Sequence, residues 1–309
     1  MLFIAGFGRS GSTILARVLA GSRSAVSVGE LSLLWERAVR LDELCGCGER
    51  FSMCVFWNAV GDRAFGGWGN LDLDEIRSWA RTSARHRNNW NVSSSRLRRH
   101  VQDAGRQYAE LYARLYVAIA EVADGGVVVD SSKDPILAAL VLRYTNVDLR
   151  ILHLVRDVRG VAFSLSKKIE RPEAVGGSEK EMARLSPVRA GIYWWTYNSA
   201  ADRLKKRSGH YALTRYENWA SAPSETTASA LKELDLPQLA DSATISDRLE
   251  LGLDHSVSGN PVRFGSGLTS IKSDQTWRRS MPRRSRFVLT ALFGWKLLRY
   301  GYPVWRDPS

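Results

Sequence analysis

An apolar run that enters a glycine-rich turn near the start of the chain constrains the fold most. Residues 2–20 read LFIAGFGRSGSTILARVLA. Residues 2–5 are apolar, and from residue 12 onward the apolar residues recur at helical spacing. The stretch therefore predicts a buried strand, a tight loop and a helix in direct succession.

The loop between this strand and helix has the outline of a phosphate-binding loop. Its glycines allow a tight path, and the backbone N–H groups of such a turn and of a helix N-terminus bind anions. A Walker A sequence requires lysine after Gly11, but serine stands there, and Arg9 is the nearest strong cation. The alternative is a plain strand-to-helix turn. The candidate ligand-binding residues are Arg9, Ser10, Gly11, Ser12 and Thr13.

Short apolar strands alternate with helical patterns along the rest of the chain. Strands are predicted at 125–130, 148–157 and 210–217, and helices at 31–40, 72–85, 95–123, 135–144, from 158, and at 187–207, 222–234 and 283–300. This alternation predicts an α/β fold with a parallel sheet flanked by helices, in a single domain over residues 1–309. The polar, glycine-bearing residues 170–186 predict a mobile loop, and 252–276 a further loop.

The chain is basic. Its 309 residues include 44 Lys and Arg against 32 Asp and Glu, a net charge of +12. This excess fits nucleic acid, an anionic membrane, an anionic small molecule or an acidic acceptor. Without a signal peptide or an apolar run of the ~18 residues that a transmembrane helix needs, we expect a cytoplasmic protein, or one from which such segments were removed. The aromatic and basic C-terminal segment 287–305 fits the core or a membrane surface.

Three cysteines cluster in the segment CGCGERFSMCVFW, as Cys45, Cys47 and Cys54. A structural zinc site usually has four ligands. Because the count is odd and no fourth ligand stands nearby in the sequence, we expect a local disulfide or buried thiols rather than zinc.

Two further segments place charged residues at predicted strand ends. Arg156 closes the strand in LHLVRDVRGVAFS, and Ser164 follows eight residues later; Lys133 follows the strand in VVVDSSKDP. Ligands of parallel sheets bind beyond the carboxyl ends of the strands, so both cations should face the crevice of the first loop. The alternatives are a salt bridge from Arg156 to Asp157 and a Walker B role for Asp130 as a magnesium ligand, as in a P-loop kinase.

The loop GFGRSGST, the pair of Arg156 and Ser164, and the late segment RYENWASAP together resemble PAPS-dependent sulfotransferases. The resemblance covers about residues 2–300, including the Cys/Gly loop and the segment HSVSGNPVRF, and is closest in motif to bacterial members and to the tyrosylprotein sulfotransferases. It implies the sulfotransferase fold and transfer of a sulfonyl group from PAPS to a hydroxyl or amine. Adenosine 3′,5′-bisphosphate would be released, and no metal would be required.

The resemblance also implies roles for individual residues. Arg9 matches the cation of the 5′-phosphosulfate loop, and Arg156 and Ser164 match the 3′-phosphate site. Two separated anion sites argue against a kinase. Glu30, in SVGELSLLW, matches the general base, with a helix-start cap as the alternative. Lys133 matches the lysine near the bridging oxygen.

The chain also departs from the family pattern. The catalytic histidine of the cytosolic enzymes has no counterpart, and His153 is interpreted as a core residue. Ile14 stands where those enzymes stack a tryptophan on adenine, so Tyr216 is the candidate for the adenine contact.

The family segment RKGxxGxWK is absent as well. GNPVRFGSG is its proposed replacement, with Arg263 as an additional 3′-phosphate contact and His255 and Ser258 near the 5′-phosphosulfate. We expect a small-molecule, glycan or lipid acceptor and no nucleic acid, with peripheral membrane contact as an option. The acceptor and the oligomeric state stay open.

Overall fold

A five-stranded parallel sheet forms the centre of the protein. The computed structural model describes residues 1–21, 24–83, 99–174, 179–239, 248–252, 254–265 and 267–304. In chain order the strands are β1 (Leu2–Gly6), β2 (Ala25–Gly29), β3 (Val127–Lys133), β4 (Arg150–Val155) and β5 (Tyr211–Arg215). Their order across the sheet is β2-β3-β1-β4-β5, and every neighbouring pair is parallel. The predicted α/β class with a parallel sheet is confirmed.

Helices cover both faces of the sheet. They are α1 (Ser12–Leu19), α2 (Val55–Phe65), α3 (Leu73–Ser83), α4 (Arg99–Val122), α5 (Pro135–Tyr144), α6 (Val158–Ser166), α7 (Pro187–Leu204), α8 (Tyr216–Ser221), α9 (Pro223–Glu233), α10 (Trp277–Ser280) and α11 (Arg283–Arg299). A separate antiparallel pair consists of β6 (Arg248–Leu251) and β7 (Gly267–Ser270). Within the described ranges, every helix is too short or too polar to cross a bilayer.

The central strand β1 divides the core between the two faces. Its side chains alternate, as strand geometry requires. Phe3 and Ala5 pack in the cluster that contains residues of α4 and α5, whereas Leu2 and Ile4 pack with residues of α1 and α9. All of β1 is buried because helices cover both of its faces, which explains why its sequence is continuously apolar rather than alternating.

The register between the strands places Lys133 and Arg156 at the same edge of the sheet as the glycine-rich loop. A shift in the pairing of β1 with β3 lies between Phe3 and Ala5, and it brings Lys133 opposite Ala5. Lys133 therefore ends its strand next to the start of the glycine-rich loop. β4 pairs with β1 without a shift, so Leu154 lies opposite Gly6 and Arg156 follows at the same edge.

Several elements differ from the sequence-based expectation. The predicted helix 31–40 is a short 3₁₀ turn, Leu31–Leu33, followed by a π-helical stretch, Leu34–Arg40. β3 extends to Lys133 instead of ending at Asp130, and β5 ends at Arg215 because Tyr216 begins α8. The sequence analysis missed α2, α10, β2, β6 and β7. The parts of the predicted helices at 84–85 and 95–98 lie outside the described residues.

Candidate active site

A cavity of about 490 Å³ opens at the carboxyl edge of the sheet. This volume is in the range of small-molecule and cofactor pockets. The cavity lies where β1, β3 and β4 end and α8 begins, which is the position expected for a ligand of a parallel sheet. Its wall contains most of the predicted site residues: Arg9, Gly11, Ser12, Thr13, Glu30, Lys133, Arg156, Ser164 and Tyr216.

The glycine-rich loop forms one wall of this cavity. Gly11 has φ 84°, and a Cβ atom there would lie 2.8 Å from the Tyr216 ring, so a side chain at this position would collide with the wall. Gly11 caps α1 without any side-chain hydrogen bond. The first amides of an α-helix have no partner within the helix. The N-terminus of α1 can therefore donate to an anion in the cavity.

Ser10 has a different role from its neighbours in the loop. Its hydroxyl donates to the Phe7 carbonyl at 2.8 Å, and the residue is buried. The hydroxyl thus holds the loop conformation, and Ser10 is absent from the cavity wall that Arg9, Gly11, Ser12 and Thr13 line.

Arg9 is a partly buried cation on the glycine-rich loop. Its backbone is in the left-handed region, at φ 66°, which is uncommon for a residue with a side chain. Burial lowers the pKa of the Arg9 guanidinium, Glu30 opposes this effect, and the Arg156 cation adds to it. No ion pair within 4.0 Å in the described part of the chain includes Arg9. An anionic ligand would supply the missing counter-charge.

Glu30 and Lys133 form an ion pair in the wall of the cavity. The Glu30 Oε1 atom and the Lys133 Nζ atom are 2.6 Å apart, and both side chains are mostly buried. Lys133 Nζ also donates to the Ser131 carbonyl at 2.9 Å, and the Glu30 amide donates to the Val257 carbonyl at 2.7 Å. The Glu30 side chain makes no capping hydrogen bond to the turn that follows. Glu30 is the residue before the 3₁₀ turn, as the helix-start alternative had it, but its carboxylate pairs with Lys133 instead of bonding the amides of the turn.

Arg156 is the second cation of the cavity. Its Nη1 atom donates to the Arg9 carbonyl at 3.0 Å, and its Nη2 atom donates to the carbonyl and carboxylate of Asp274, at 2.8 and 3.3 Å. The predicted alternative of a salt bridge to Asp157 is wrong, because Asp157 pairs with Arg159 at 2.6 Å.

The Tyr216 ring packs against the Arg156 guanidinium. The guanidinium lies 4.4 Å from the centre of the Tyr216 ring. The Tyr216 hydroxyl donates to the Lys272 carbonyl at 3.3 Å and accepts from the Asp274 amide at 3.1 Å. One face of this ring is thus already occupied by Arg156, while Ile14 also lines the cavity.

The placement of Arg263 corrects the sequence-based expectation. Its side chain is 1% exposed and donates to the Ser256 carbonyl and, at 2.7 Å, to the Leu44 carbonyl. These two backbone carbonyls hold the guanidinium away from the cavity, and Asn260 and Val262 line the wall instead.

His255 and Ser258 are also absent from the wall of this cavity. Ser258 is buried in the same segment, and His255 contacts the cysteine cluster.

Two buried titratable groups near the sheet are not part of the site. Asp130 accepts hydrogen bonds from the Tyr116 hydroxyl at 2.8 Å and from the Ser132 amide at 2.7 Å, and burial raises its pKa to about 6. It is absent from the cavity wall, so the Walker B interpretation has no support. His153 bonds Tyr211 and Asn198 in the core, and burial lowers its pKa to about 4. This agrees with its interpretation as a core residue.

The sequence analysis missed three charged residues of the cavity: Arg37, Arg171 and Asp274. Arg171 pairs with Glu43 at 2.6 Å and with Glu173 at 3.2 Å. None of these residues belongs to a motif with a recognisable spacing, so the sequence did not mark them.

Arg171 lies in the segment predicted as a mobile loop. Its amide donates to the Lys180 carbonyl at 2.8 Å, and Glu170 bridges to Glu181. These contacts join the two ends of the segment, and residues 175–178 lie outside the described ranges. The mobility of the loop stays a prediction.

The solved structures that are similar to this chain include two sulfotransferases. No family model and no curated protein matches the chain. The sulfotransferase domain from the curacin biosynthetic pathway is 18% identical, with 98% of each chain covered and a TM-score of 0.49. The sulfotransferase STF9 from Mycobacterium avium is 12% identical, with 98% of this chain and 77% of the other covered and a TM-score of 0.47. At these identities and scores, the function has to be argued from the cavity itself.

Proposed function

We propose that this protein is a sulfotransferase that moves a sulfonyl group from PAPS to a hydroxyl or amine of a small-molecule, glycan or lipid acceptor. One observation carries the proposal. A single cavity combines the partly buried cation Arg9 on a glycine-rich loop, the second cation Arg156, and the Glu30–Lys133 ion pair at 2.6 Å. A nucleotide with anionic groups at both its 5′ and 3′ positions needs two separated cationic contacts, and a transfer reaction needs a base beside one of them.

In this proposal the donor occupies the cavity in one orientation. The α1 amides, the hydroxyls of Ser12 and Thr13, and the Arg9 fork hold the 5′-phosphosulfate. Arg156 and Ser164 hold the 3′-phosphate, which replaces the Asp274 carboxylate as the partner of the guanidinium. Tyr216 forms the wall beside the adenine.

The proposed chemistry is an in-line displacement at sulfur. The Glu30 carboxylate accepts the proton of the acceptor hydroxyl as the acceptor oxygen forms a bond to sulfur. The bond from sulfur to the bridging phosphate oxygen breaks, and adenosine 3′,5′-bisphosphate leaves. Lys133 and Arg9 stabilise the charge on the leaving phosphate and the sulfonyl oxygens. A sulfonyl group carries less negative charge than a phosphoryl group, so these cations can act without a metal ion.

The main alternative is a P-loop kinase that uses ATP and Mg²⁺. It would need Asp130 as a metal ligand, whereas Tyr116 and Ser132 occupy the Asp130 carboxylate outside the cavity. A second alternative is a basic binding protein without catalysis, which would bind nucleic acid with a steep dependence on salt. The buried ion pair in the cavity favours an enzyme over such a protein.

A thermal unfolding measurement separates these alternatives. We expect adenosine 3′,5′-bisphosphate to raise the melting temperature in the presence of EDTA, because a ligand of the native state stabilises it by about 2.7 kcal/mol at 100 times Kd. Stabilisation by ATP and Mg²⁺ alone would instead support the kinase. Stabilisation by neither nucleotide would contradict both enzymes. Radiolabelled PAPS incubated with extracts of the source cells would then identify the acceptor by the molecule that gains label.

The proposed peripheral membrane contact belongs to α11. Large apolar side chains of this helix are exposed: Phe287 (67%), Leu292 (50%), Trp295 (56%) and Leu298 (58%). Basic residues flank this apolar surface at both ends of the helix, a combination that favours anionic interfaces. We expect the protein to sediment with vesicles that contain phosphatidylserine more than with neutral vesicles, and Trp295→Ser to reduce that fraction. Equal sedimentation with both would contradict the contact.

A further inference from the structure

A cluster of metal-ligating side chains lies outside the donor cavity wall. It consists of Cys45, Cys47, Cys54 and His255, whose potential ligand atoms all lie within 4.8 Å of one another. Two of the cysteines are buried, and Cys47 and His255 are partly buried. The sequence analysis predicted no zinc site here because no fourth ligand lies near the cysteines along the chain. The fold supplies it from a position 201 residues beyond Cys54.

Three distances within the cluster are close to those of a tetrahedral site. The Cys54 and Cys45 sulfurs lie 3.3 and 3.8 Å from His255 Nδ1, and the Cys47 and Cys54 sulfurs lie 3.8 Å apart. Zinc bonds of about 2.3 Å to sulfur and about 2.0 Å to nitrogen separate tetrahedral ligands by about 3.5–3.8 Å. All three cysteines are free thiols, so the predicted local disulfide is not formed.

Local structure holds each ligand in place without the metal. The Cys45 amide donates to the Glu49 carbonyl at 2.8 Å, which closes the turn that carries Cys45 and Cys47. Cys54 caps the start of α2. The His255 ring stacks on Phe56, with ring centres 4.7 Å apart and planes 11° apart. Neighbouring groups that fix a histidine ring or a cysteine turn in this way orient the ligating side chains toward a metal.

Additional contacts tie the two ligand-bearing segments together. Trp57 Nε1 donates to the His255 carbonyl at 2.8 Å, and the Gly46 amide donates to the Ser256 carbonyl at 3.0 Å. A Cβ atom on Gly46 would lie 2.2 Å from Asp254 Oδ1, so a larger residue would push the segments apart. The close approach of the two segments therefore depends on glycine at this position.

We propose that these four side chains bind one structural Zn²⁺ in a closed Cys₃His site. Three thiolates and one imidazole are soft and borderline ligands that favour zinc over magnesium or calcium. Four protein ligands leave no open coordination position, so the ion stabilises structure and takes no part in transfer. This proposal is independent of the sulfotransferase assignment.

The zinc site also has a mechanical connection to the donor cavity. Val257 lies two residues after His255. Its carbonyl accepts from the Glu30 amide, and its amide donates to the Val28 carbonyl. Asn260 and Val262 of the same segment line the cavity. The ion would therefore fasten the segment that positions Glu30 to the cysteine loop.

Metal analysis of the purified protein tests the proposal. We expect protein from zinc-supplemented culture, purified without chelators, to contain about one zinc per chain by mass spectrometry of the metal. Cys47→Ser and His255→Ala should lower this content several-fold, whereas His100→Ala, at an exposed histidine of α4, should leave it unchanged. Cobalt-loaded wild-type protein should show thiolate-to-metal charge transfer and the strong visible bands of a tetrahedral site.

Wild-type measurements decide the proposal if the variants fail to fold. Wild-type protein without zinc and without a tetrahedral cobalt spectrum would overturn it. So would intact-mass evidence for a disulfide between two of the cysteines. Metal content is measured without any sulfuryl donor, so a failure here is distinguishable from a failure to bind adenosine 3′,5′-bisphosphate.

Discussion

The donor cavity and the cysteine–histidine cluster are assembled in different ways. The main cations of the cavity, Arg9, Lys133 and Arg156, each follow or end a parallel strand, and the sheet brings those ends to one edge. The cluster joins a loop near residue 50 to a histidine about 200 residues later, through a contact between two loops. Sheet topology lets a sequence predict the first kind of site. No comparable rule predicts the second, because loop contacts depend on the whole fold.

The largest expected effect lies in the cavity, at Glu30. If this carboxylate is the base, Glu30→Gln should lower kcat about 10²–10⁴-fold, the usual contribution of a positioned acid or base. The binding of adenosine 3′,5′-bisphosphate should change little, because the amide keeps the shape of the side chain. Steady-state kinetics at saturating acceptor, with calorimetric titration of the nucleotide, measure both quantities.

Glu36→Gln is a suitable control for that experiment. Glu36 pairs with Arg40 on the surface of the neighbouring helical stretch and is 42% exposed. Its substitution should leave kcat close to that of the wild type. A Glu30→Gln enzyme with wild-type kcat at saturating acceptor would show that another group takes the proton.

The next effect concerns the cluster and its stability. Cys47→Ser, or removal of metal by a strong chelator, should lower the free energy of unfolding by on the order of 3 kcal/mol, in the range of large single-site effects that include metal loss. Chemical unfolding with and without added Zn²⁺ measures the change. Arg156→Ala should retain the metal, since this residue lies in the other site. Equal stability of the chelated and zinc-loaded wild type would contradict a structural role for the ion.

A smaller effect is expected at Arg156. Arg156→Ala should weaken the binding of adenosine 3′,5′-bisphosphate by about 2 kcal/mol, the typical strength of hydrogen bonds to charged groups. Adenosine 5′-phosphate should bind to this variant almost as well as to the wild type. Arg156→Lys keeps the charge but loses the planar fork, so its affinity should be intermediate. Isothermal titration with both nucleotides gives the comparison. An equal loss for the two nucleotides would place Arg156 away from the 3′-phosphate.

Elements and residues tied to the parallel strands could be predicted from the sequence, whereas those that depend on contacts between distant loops could not. The strands β1, β3 and β4 were recognisable because burial on both faces gives each of them an apolar run. The edge strand β5 is only partly buried and was recognised without such a run. β2 was missed because AVSVG is short and contains serine. Arg9, Lys133 and Arg156 were predictable from their strand-end positions. Arg263 was misplaced because two distant carbonyls, of Ser256 and Leu44, accept its guanidinium in the folded chain.

Asp130 marks the limit of the strand-end rule and carries the smallest expected effect on activity. The sequence placed it at the end of its strand, where a Walker B carboxylate would stand. β3 continues for three more residues, and Asp130 is buried beneath Tyr116. Asp130→Asn should therefore change turnover less than about tenfold, well below the effect of a catalytic group. A loss of turnover comparable to that of Glu30→Gln, together with a requirement for Mg²⁺, would support the kinase interpretation instead.

The same substitution should change the pH dependence of stability. The pKa of Asp130 is raised from 3.8 to about 6 in the folded protein. Its protonated form is thus favoured by folding, and the associated stability is complete below about pH 4 and lost as the pH rises through 6. Asparagine is neutral throughout, so the unfolding free energy of Asp130→Asn relative to wild type should rise by on the order of 2 kcal/mol between pH 4 and pH 7. His153 titrates in both proteins and cancels in the difference. A difference that does not vary with pH would mean that Asp130 is already ionised at pH 4, as expected for a carboxylate open to the cavity rather than for one buried inside the strand.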